Sequence, residues 1–133
     1  MAVGEQFVCG EPVLRYEGGR LPLRCALAER AAALAVRAVR TVDGLRGFVG
    51  VDVVLGERTG DDMVIEINPR LTLSYVALVR GCEPRVAAAL LDDRIEPRWT
   101  LPGGDRAGEG EGVVRFDARG RVARECSASA DGG

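Results

Sequence analysis

The segment 47–70 constrains the fold of this chain more than any other. It contains two short runs rich in valine, isoleucine and leucine, separated by a polar connection that includes a glycine. Two such runs joined in this way are typical of a β-hairpin. If the hairpin folds symmetrically about Thr59, Asp52 lies directly opposite Glu66. The sequence therefore predicts a two-stranded ribbon in which two carboxylates face each other.

The two faces of this ribbon differ in character. Side chains two residues apart share one face of a strand, so Glu66 and Asn68 point the same way. Gly50 and Asp52 share the corresponding face of the first strand, which sets Gly50 opposite Asn68. The other face is wholly apolar and is expected to be buried; it consists of Val51, Val53, Leu55, Met63, Ile65 and Ile67.

The polar face has the composition of a cation site. Like charges directly across a ribbon destabilise the pair, and a bound cation would remove that penalty. Carboxylate and amide oxygens suit Mg²⁺, which completes its shell with water and phosphate oxygens. Arg70 follows Asn68 after a proline and adds a fork-shaped phosphate partner at the same edge. A solvated polar face is the alternative for each residue taken alone, but all four together favour a site.

These residues resemble a known family. Gly-Val-Asp-Val-Val-Leu at 50–55 and Val-Ile-Glu-Ile-Asn-Pro-Arg at 64–70 are similar to the metal-binding end of the ATP-grasp superfamily of carboxylate–amine ligases. Members of that superfamily use ATP to form an acyl phosphate, which an amine then attacks. The resemblance implies that Mg²⁺ or Mn²⁺ and ATP are cofactors. It implies that the metal ligands are Asp52, Glu66 and Asn68, and that Arg70 is a catalytic residue which binds the phosphate.

The resemblance extends to the flanking segments. From Gly19 to about Trp99 the layout is similar to the tyramine–glutamate-ligase-like branch, in which Asn-Pro-Arg is followed by a Thr/Ser-Tyr segment. That segment implies substrate contacts here from Thr72, Ser74 and Tyr75. Helix capping is an equal alternative for the first two of these residues.

A helix is predicted immediately before the ribbon. Pro22 occupies its first position, which proline tolerates well, and the helix ends near Thr41. Its apolar stripe is expected to cover the ribbon and consists of Leu23, Leu27, Ala31, Leu34, Ala38 and Val42. Arg30, Arg37 and Arg40 fall on the other side, where we expect a solvated face; an ATP-facing role is the alternative.

The remaining elements complete an α+β fold class. A hairpin is predicted over 3–16 with a turn at 17–20, and helices are predicted at 74–80 and 84–91. The expected architecture is an antiparallel β-sheet covered by helices, which resembles the C-terminal subdomain of an ATP-grasp fold.

Composition divides the chain into four predicted parts. Residues 1–100 are predicted to be the C-terminal ATP-grasp subdomain, as a partial domain. A glycine-rich flexible loop is predicted at 101–112 and a closing β-hairpin at 113–124. The residues 125–133 are predicted to form a disordered tail.

Composition also excludes several functions. The net charge of −2 gives no electrostatic reason to bind nucleic acid. The chain has neither a signal-peptide pattern nor an apolar run approaching the ~18–20 residues that span a bilayer, so we expect a cytoplasmic protein without a membrane partner. All 18 basic residues are arginine and histidine is absent, which rules out histidine-based catalysis within this chain.

The predicted function is therefore the metal- and phosphate-binding half of an ATP-grasp carboxylate–amine ligase. Its expected ligands are ATP and a small carboxylate and amine. A chain without lysine lacks the phosphate lysine that the resemblance implies for the N-terminal half, so we expect a fragment. Either it is a truncated or split gene product, or its missing half is another chain. Alone, the chain is expected to be inactive, because one wall of the nucleotide clamp is absent. The alternative is a non-catalytic remnant that acts as a nucleotide- or metal-binding or protein-interaction module.

Overall fold

A computed structural model describes residues 1–23, 25–81, 85–92, 94–95 and 113–124. The strands and helices follow the order β1 (Glu5–Cys9), β2 (Arg15–Leu21), α1 (Ala26–Val39), β3 (Gly50–Val54), a 3₁₀ turn (Thr59–Asp61), β4 (Met63–Asn68), α2 (Ser74–Gly81), α3 (Arg85–Leu91), β5 (Val114–Asp117) and β6 (Val122–Arg124). They form a four-stranded antiparallel sheet in the order β1-β2-β5-β6 and a separate β3–β4 ribbon. The predicted α+β class with antiparallel sheets is confirmed.

The predicted loop at 101–112 and the predicted tail at 125–133 lie outside the described residues, and the division into domains stays a prediction. In the region where the sequence indicates a closing hairpin, the structure has β5 and β6. Within the described segments, no helix combines the length and the apolar character needed to cross a bilayer.

Two glycines allow the four-stranded sheet to form. β2 pairs with β1 on one side and with β5 on the other, so that Gly19 lies opposite Phe116. A Cβ on Gly18 would lie 2.0 Å from the Phe116 carbonyl oxygen, and one on Gly19 would lie 2.5 Å from the Glu5 carbonyl oxygen. The turn predicted at 17–20 is therefore wrong, because here the glycines permit close approach of three strands.

The hydrophobic core lies between this sheet and α2, which packs against β2 and β5. Its buried cluster, in which every side chain is at most 7% exposed, consists of Leu21, Ala77, Leu78, Val114 and Phe116. α2 begins at the predicted residue, Ser74, and ends at Gly81, one residue beyond the predicted end. The predicted start of the next helix at Pro84 lies outside the described residues, and the structure has α3 over Arg85–Leu91.

α1 lies against both strands of the ribbon, as the predicted two-layer arrangement requires. The helix begins at Ala26 rather than at Pro22. Leu23 lies outside the helix because its amide donates to a carbonyl oxygen of the N-terminal segment, at 2.7 Å. The apolar stripe is only partly covered: Ala31 is buried, whereas Leu27 is 50% exposed.

The arginine face of α1 is not wholly solvated. Arg30 Nε donates to Asp62 Oδ2 at 2.7 Å, and Arg30 Nη2 donates to Asp62 Oδ1 and to the Gly56 carbonyl oxygen. The Asp62 side chain is 3% exposed, and the Arg30 guanidinium holds the pKa of its carboxyl below the usual value. The prediction of a solvated Arg30 is wrong, because α1 lies against the connection between β3 and β4.

Candidate functional site

The register of the ribbon determines where the predicted metal ligands lie. β3 and β4 pair in antiparallel fashion, with Asp52 opposite Glu66 and Gly50 opposite Asn68. Directly opposed residues of an antiparallel pair project from the same face. The two carboxylates and the carboxamide therefore share one face, in the arrangement that the sequence predicts.

Beyond Asp52 the register changes. Val53 pairs with Val64, so that β4 carries one extra residue, Ile65, in a β-bulge. A bulge increases the local twist and redirects neighbouring side chains. The prediction of a fully buried apolar face is wrong as a result, since Met63 is 57% exposed and Ile65 is 61% exposed.

The Asp52 carboxylate accepts hydrogen bonds at both oxygens. Asn68 Nδ2 donates to Asp52 Oδ2 at 3.3 Å, and Gln6 Nε2 donates to Asp52 Oδ1 at 2.7 Å. Asn68 is only 5% exposed, whereas Glu66 is an exposed residue. Because Gln6 belongs to β1, its hydrogen bond connects the four-stranded sheet with the ribbon.

Tyr16 on β2 also lies close to Asp52. Burial and, after it, the negative charge of Asp52 raise the pKa of the Tyr16 hydroxyl. Gln6 and Tyr16 line one cleft of about 1840 Å³ together with the polar face of the ribbon. The sequence motif includes neither residue. Alternation with Val8 shows only which strand face Gln6 occupies, not that this face meets the ribbon.

The segment after β4 turns back over the ribbon. A Cβ on Gly50 would lie 2.9 Å from Thr72 Cγ2, so the glycine makes room for the threonine. The hydroxyl oxygens of Thr72 and Ser74 lie 2.7 Å apart in a hydrogen bond, and both residues line the cleft. The Tyr75 ring packs edge-on against Phe48, with ring centroids 6.1 Å apart. Thr72 and Ser74 thus lie at the cleft, and an aromatic contact orients Tyr75.

Arg70 lies at the edge of the cleft and is exposed. Its Nη1 donates to the Leu71 carbonyl oxygen at 3.4 Å, which is a long hydrogen bond. A guanidinium has five N–H donors in a fixed fork, and this contact uses one of them. Arg70 is therefore near the ribbon edge with donor capacity for an anion.

The donor set of the polar face fits a hard divalent cation. Asp52 and Glu66 offer carboxylate oxygens and Asn68 offers an amide oxygen, which are ligand types that suit Mg²⁺ and Mn²⁺. In the part of the chain that the structure describes, no group of three or more His, Cys, Asp or Glu side chains could hold a metal ion. A cation at this face would thus depend on two carboxylates, one amide, and oxygens from water or phosphate. That combination is typical of Mg²⁺ bound together with a nucleotide.

Comparison with known proteins identifies the family. Residues 1–74 match the family model of the ATP-grasp domain, which is more than half of the 133 residues. The chain therefore belongs to the ATP-grasp family, and the predicted resemblance is confirmed. The match also includes β1 and β2, whereas the resemblance visible in the sequence begins at Gly19.

Two similar curated proteins are tyramine–L-glutamate ligases. The protein of Methanocaldococcus fervens is 36% identical over 76 residues, which cover 57% of this chain and 24% of the relative. The protein of Methanocaldococcus jannaschii is 35% identical over 63 residues, which cover 47% of this chain and 20% of the relative. The chain thus spans a quarter or less of the length of these relatives. No solved structure gives a significant match.

Proposed function

We propose that this chain is the metal- and phosphate-binding part of an ATP-dependent carboxylate–amine ligase. Membership of the ATP-grasp family and similarity to two tyramine–L-glutamate ligases support the ligase class. The observation that carries the proposal is the ribbon register, with Asp52 opposite Glu66 on the face that also carries Asn68.

The residues of the site have three proposed roles. Asp52, Glu66 and Asn68 hold Mg²⁺ or Mn²⁺ through their oxygens. The metal, when bound, neutralises charge on the phosphates of ATP. Arg70 binds the transferred phosphate, because two parallel guanidinium donors match two phosphate oxygens. The substrate contacts come from Thr72, Ser74 and Tyr75.

The proposed substrates are ATP, a small carboxylate and a small amine. The carboxylate oxygen attacks the γ-phosphorus and displaces ADP. The amine nitrogen then attacks the acyl carbon, displaces phosphate and loses a proton to solvent. The cleft lined by the polar face of the ribbon is the proposed place for the nucleotide and a second ligand. A cytoplasmic location is part of the same proposal.

We also propose that more protein than this chain completes the nucleotide site. The two relatives are much longer than the aligned segments, so the same polypeptide or a second chain can supply the remaining contacts. Positioning of ATP against the carboxylate provides most of the acceleration in phosphoryl transfer. The described chain would then bind nucleotide weakly and not release ADP when an amine is added.

Nucleotide binding to the purified chain tests the proposal. Calorimetric titration with ATP, with and without Mg²⁺, compares the parent with Glu66→Gln. Glu57→Gln is a matched control, because it removes an exposed carboxylate from the connection of the same ribbon. We expect binding that requires Mg²⁺, that weakens about tenfold or more in Glu66→Gln, and that is unchanged in Glu57→Gln. Binding of equal strength without Mg²⁺, or an equal loss in both variants, would contradict the proposal.

A further inference from the structure

We infer that Gln6 is a positioning residue for the Asp52 carboxylate, and through it for cation binding at the ribbon. The inference rests on the proposed metal role of Asp52. It assigns a part of the site to the first hairpin, which the Asp-Glu-Asn-Arg motif does not contain. The site would then span two sheets instead of one ribbon.

The hydrogen-bond geometry at Asp52 is the first support. The 2.7 Å separation of Gln6 Nε2 and Asp52 Oδ1 is that of a short N–H to carboxylate hydrogen bond. The contact from Asn68 to the other oxygen is longer, at 3.3 Å. Rotation of the carboxylate is therefore restricted from both sheets, and the shorter contact comes from Gln6.

The anchoring of β1 is the second support. Gln6 pairs with Gly19 of β2, so its backbone belongs to the four-stranded sheet and not to a loop. The residues on either side are fixed from the opposite face: Arg20 Nε donates to Glu5 Oε2 at 2.7 Å, and the Arg115 guanidinium lies 4.7 Å from the Phe7 ring centroid. Side chains on such anchored strands are held more accurately than side chains on loops.

The chemistry of a neutral amide is the third support. A lysine or arginine at this position would bring a positive charge next to Asp52 and oppose the approach of a cation. The glutamine amide donates a hydrogen bond without changing the charge of the carboxylate. A carboxylate has about four lone-pair sites, so two donors leave acceptor capacity for a metal. Carboxylates that bind metals are commonly oriented by such hydrogen bonds, and removal of the donor typically costs about 10–100-fold in metal affinity.

Mn²⁺ binding to the whole chain tests the inference, with electron paramagnetic resonance to measure free Mn²⁺. Gln6→Met keeps the length of the side chain and removes the donor. Val8→Ala is the matched control, because Val8 is an exposed residue on the same face of β1. We expect the Mn²⁺ dissociation constant to rise about tenfold or more in Gln6→Met and to stay within about twofold of the parent in Val8→Ala. Measurements are made well below the unfolding temperature of each variant, so that a loss of stability is not read as a loss of affinity.

A third variant, Asp52→Asn, separates this inference from the proposed function. If Asp52→Asn loses Mn²⁺ binding but Gln6→Met keeps the parental affinity, the positioning role is wrong and the site stands. Tighter binding in Gln6→Met would also overturn the positioning role, because Gln6 would then compete with the cation. Equal affinity in the parent and Asp52→Asn, or no binding by the parent, would overturn both.

Discussion

The two sheets of this chain differ in what they bury. The four-stranded sheet holds Phe116 at 4% exposure beneath α2, whereas the ribbon leaves the apolar side chain of Ile65 61% exposed. The ribbon instead buries the polar side chain of Asn68 and sets two carboxylates opposite each other. Because apolar burial stabilises a fold by about 25 cal/mol per Å², we expect the four-stranded sheet to contribute most of the apolar stabilisation. The candidate metal ligands therefore lie on the ribbon, which is the less tightly packed of the two sheets and is held in place by polar contacts.

Removal of a core side chain should show this division most strongly. Phe116→Ala leaves a cavity between the sheet and α2 and should lower the free energy of unfolding by about 3–5 kcal/mol. Ile65→Ala removes an exposed side chain from the ribbon and should cost less than about 1 kcal/mol. Urea unfolding of the two variants and the parent measures both values. Equal losses would mean that the ribbon contributes as much apolar stabilisation as the sheet.

A methyl group added to β2 should have the next largest effect. Gly18 has a φ of +129°, and its Cβ would lie 2.0 Å from the Phe116 carbonyl oxygen. Gly18→Ala should lower the free energy of unfolding by about 2–3 kcal/mol. The added methyl group strains the backbone of β2 and also pushes β2 away from β5. Gly44 has a φ of +79° and open space around it. Gly44→Ala should therefore lower the free energy of unfolding by only about 1 kcal/mol, which is the cost of placing alanine in the left-handed region. Thermal unfolding that ranks the two variants in the opposite order would contradict the pairing of β2 with β5.

The same contrast explains what the sequence could predict. The register at Asp52 and Glu66 follows from alternation and a short connection, and both are local features. The bulge at Ile65 could not be predicted, because valine, methionine and isoleucine are all apolar and an extra residue leaves the pattern unchanged. The local sequence pattern was therefore sufficient to predict the part of the ribbon that carries the candidate ligands.

The four-stranded sheet depends on contacts that no local pattern contains. Leu21 of β2 pairs with Val114 of β5, which lies far away in the sequence. Gly18 and Gly19 resemble a turn when only their neighbours are considered, and only the third strand shows why they are glycines. The contact between Gln6 and the ribbon could not be predicted for the same reason, because it requires the relative position of two sheets.

Acid should weaken the attachment of the ribbon to α1. Arg30 holds the pKa of Asp62 below the usual value of about 3.9. A carboxyl whose pKa is lower in the folded state gives stability that is complete above the unfolded pKa and is lost as the pH falls through the folded pKa. We expect Asp62→Asn to unfold several degrees below the parent at about pH 6, with the difference shrinking toward about pH 3.

Calorimetry of both proteins across this pH range measures the difference. Other carboxyls with lowered pKa values, those of Asp92 and Asp117, are present in both proteins, so their contributions cancel. Asp61→Asn is the control, because the Asp61 side chain is 59% exposed and lies beside Asp62. A difference that stays constant with pH would mean that Asp62 acts through its shape and not through its charge.

The smallest predicted effect has the opposite sign. Glu66 lies opposite Asp52, and removal of one of two opposed charges should raise the free energy of unfolding by about 0.2–1 kcal/mol. Glu66→Gln should therefore stabilise the metal-free chain, and the gain should shrink at high salt, where the repulsion is screened. Asp52→Asn should lack this gain, because Gln6 and Asn68 would lose the charged oxygens to which they donate.

Urea unfolding in low and high salt measures the effect, with Glu57→Gln as the control for loss of a carboxylate elsewhere on the ribbon. A more stable Glu66→Gln that no longer binds ATP with Mg²⁺ would show that the carboxylate serves ligand binding at the expense of folding. A less stable Glu66→Gln would mean that Glu66 supports the ribbon itself, and the division of stability and chemistry between the two sheets would not hold.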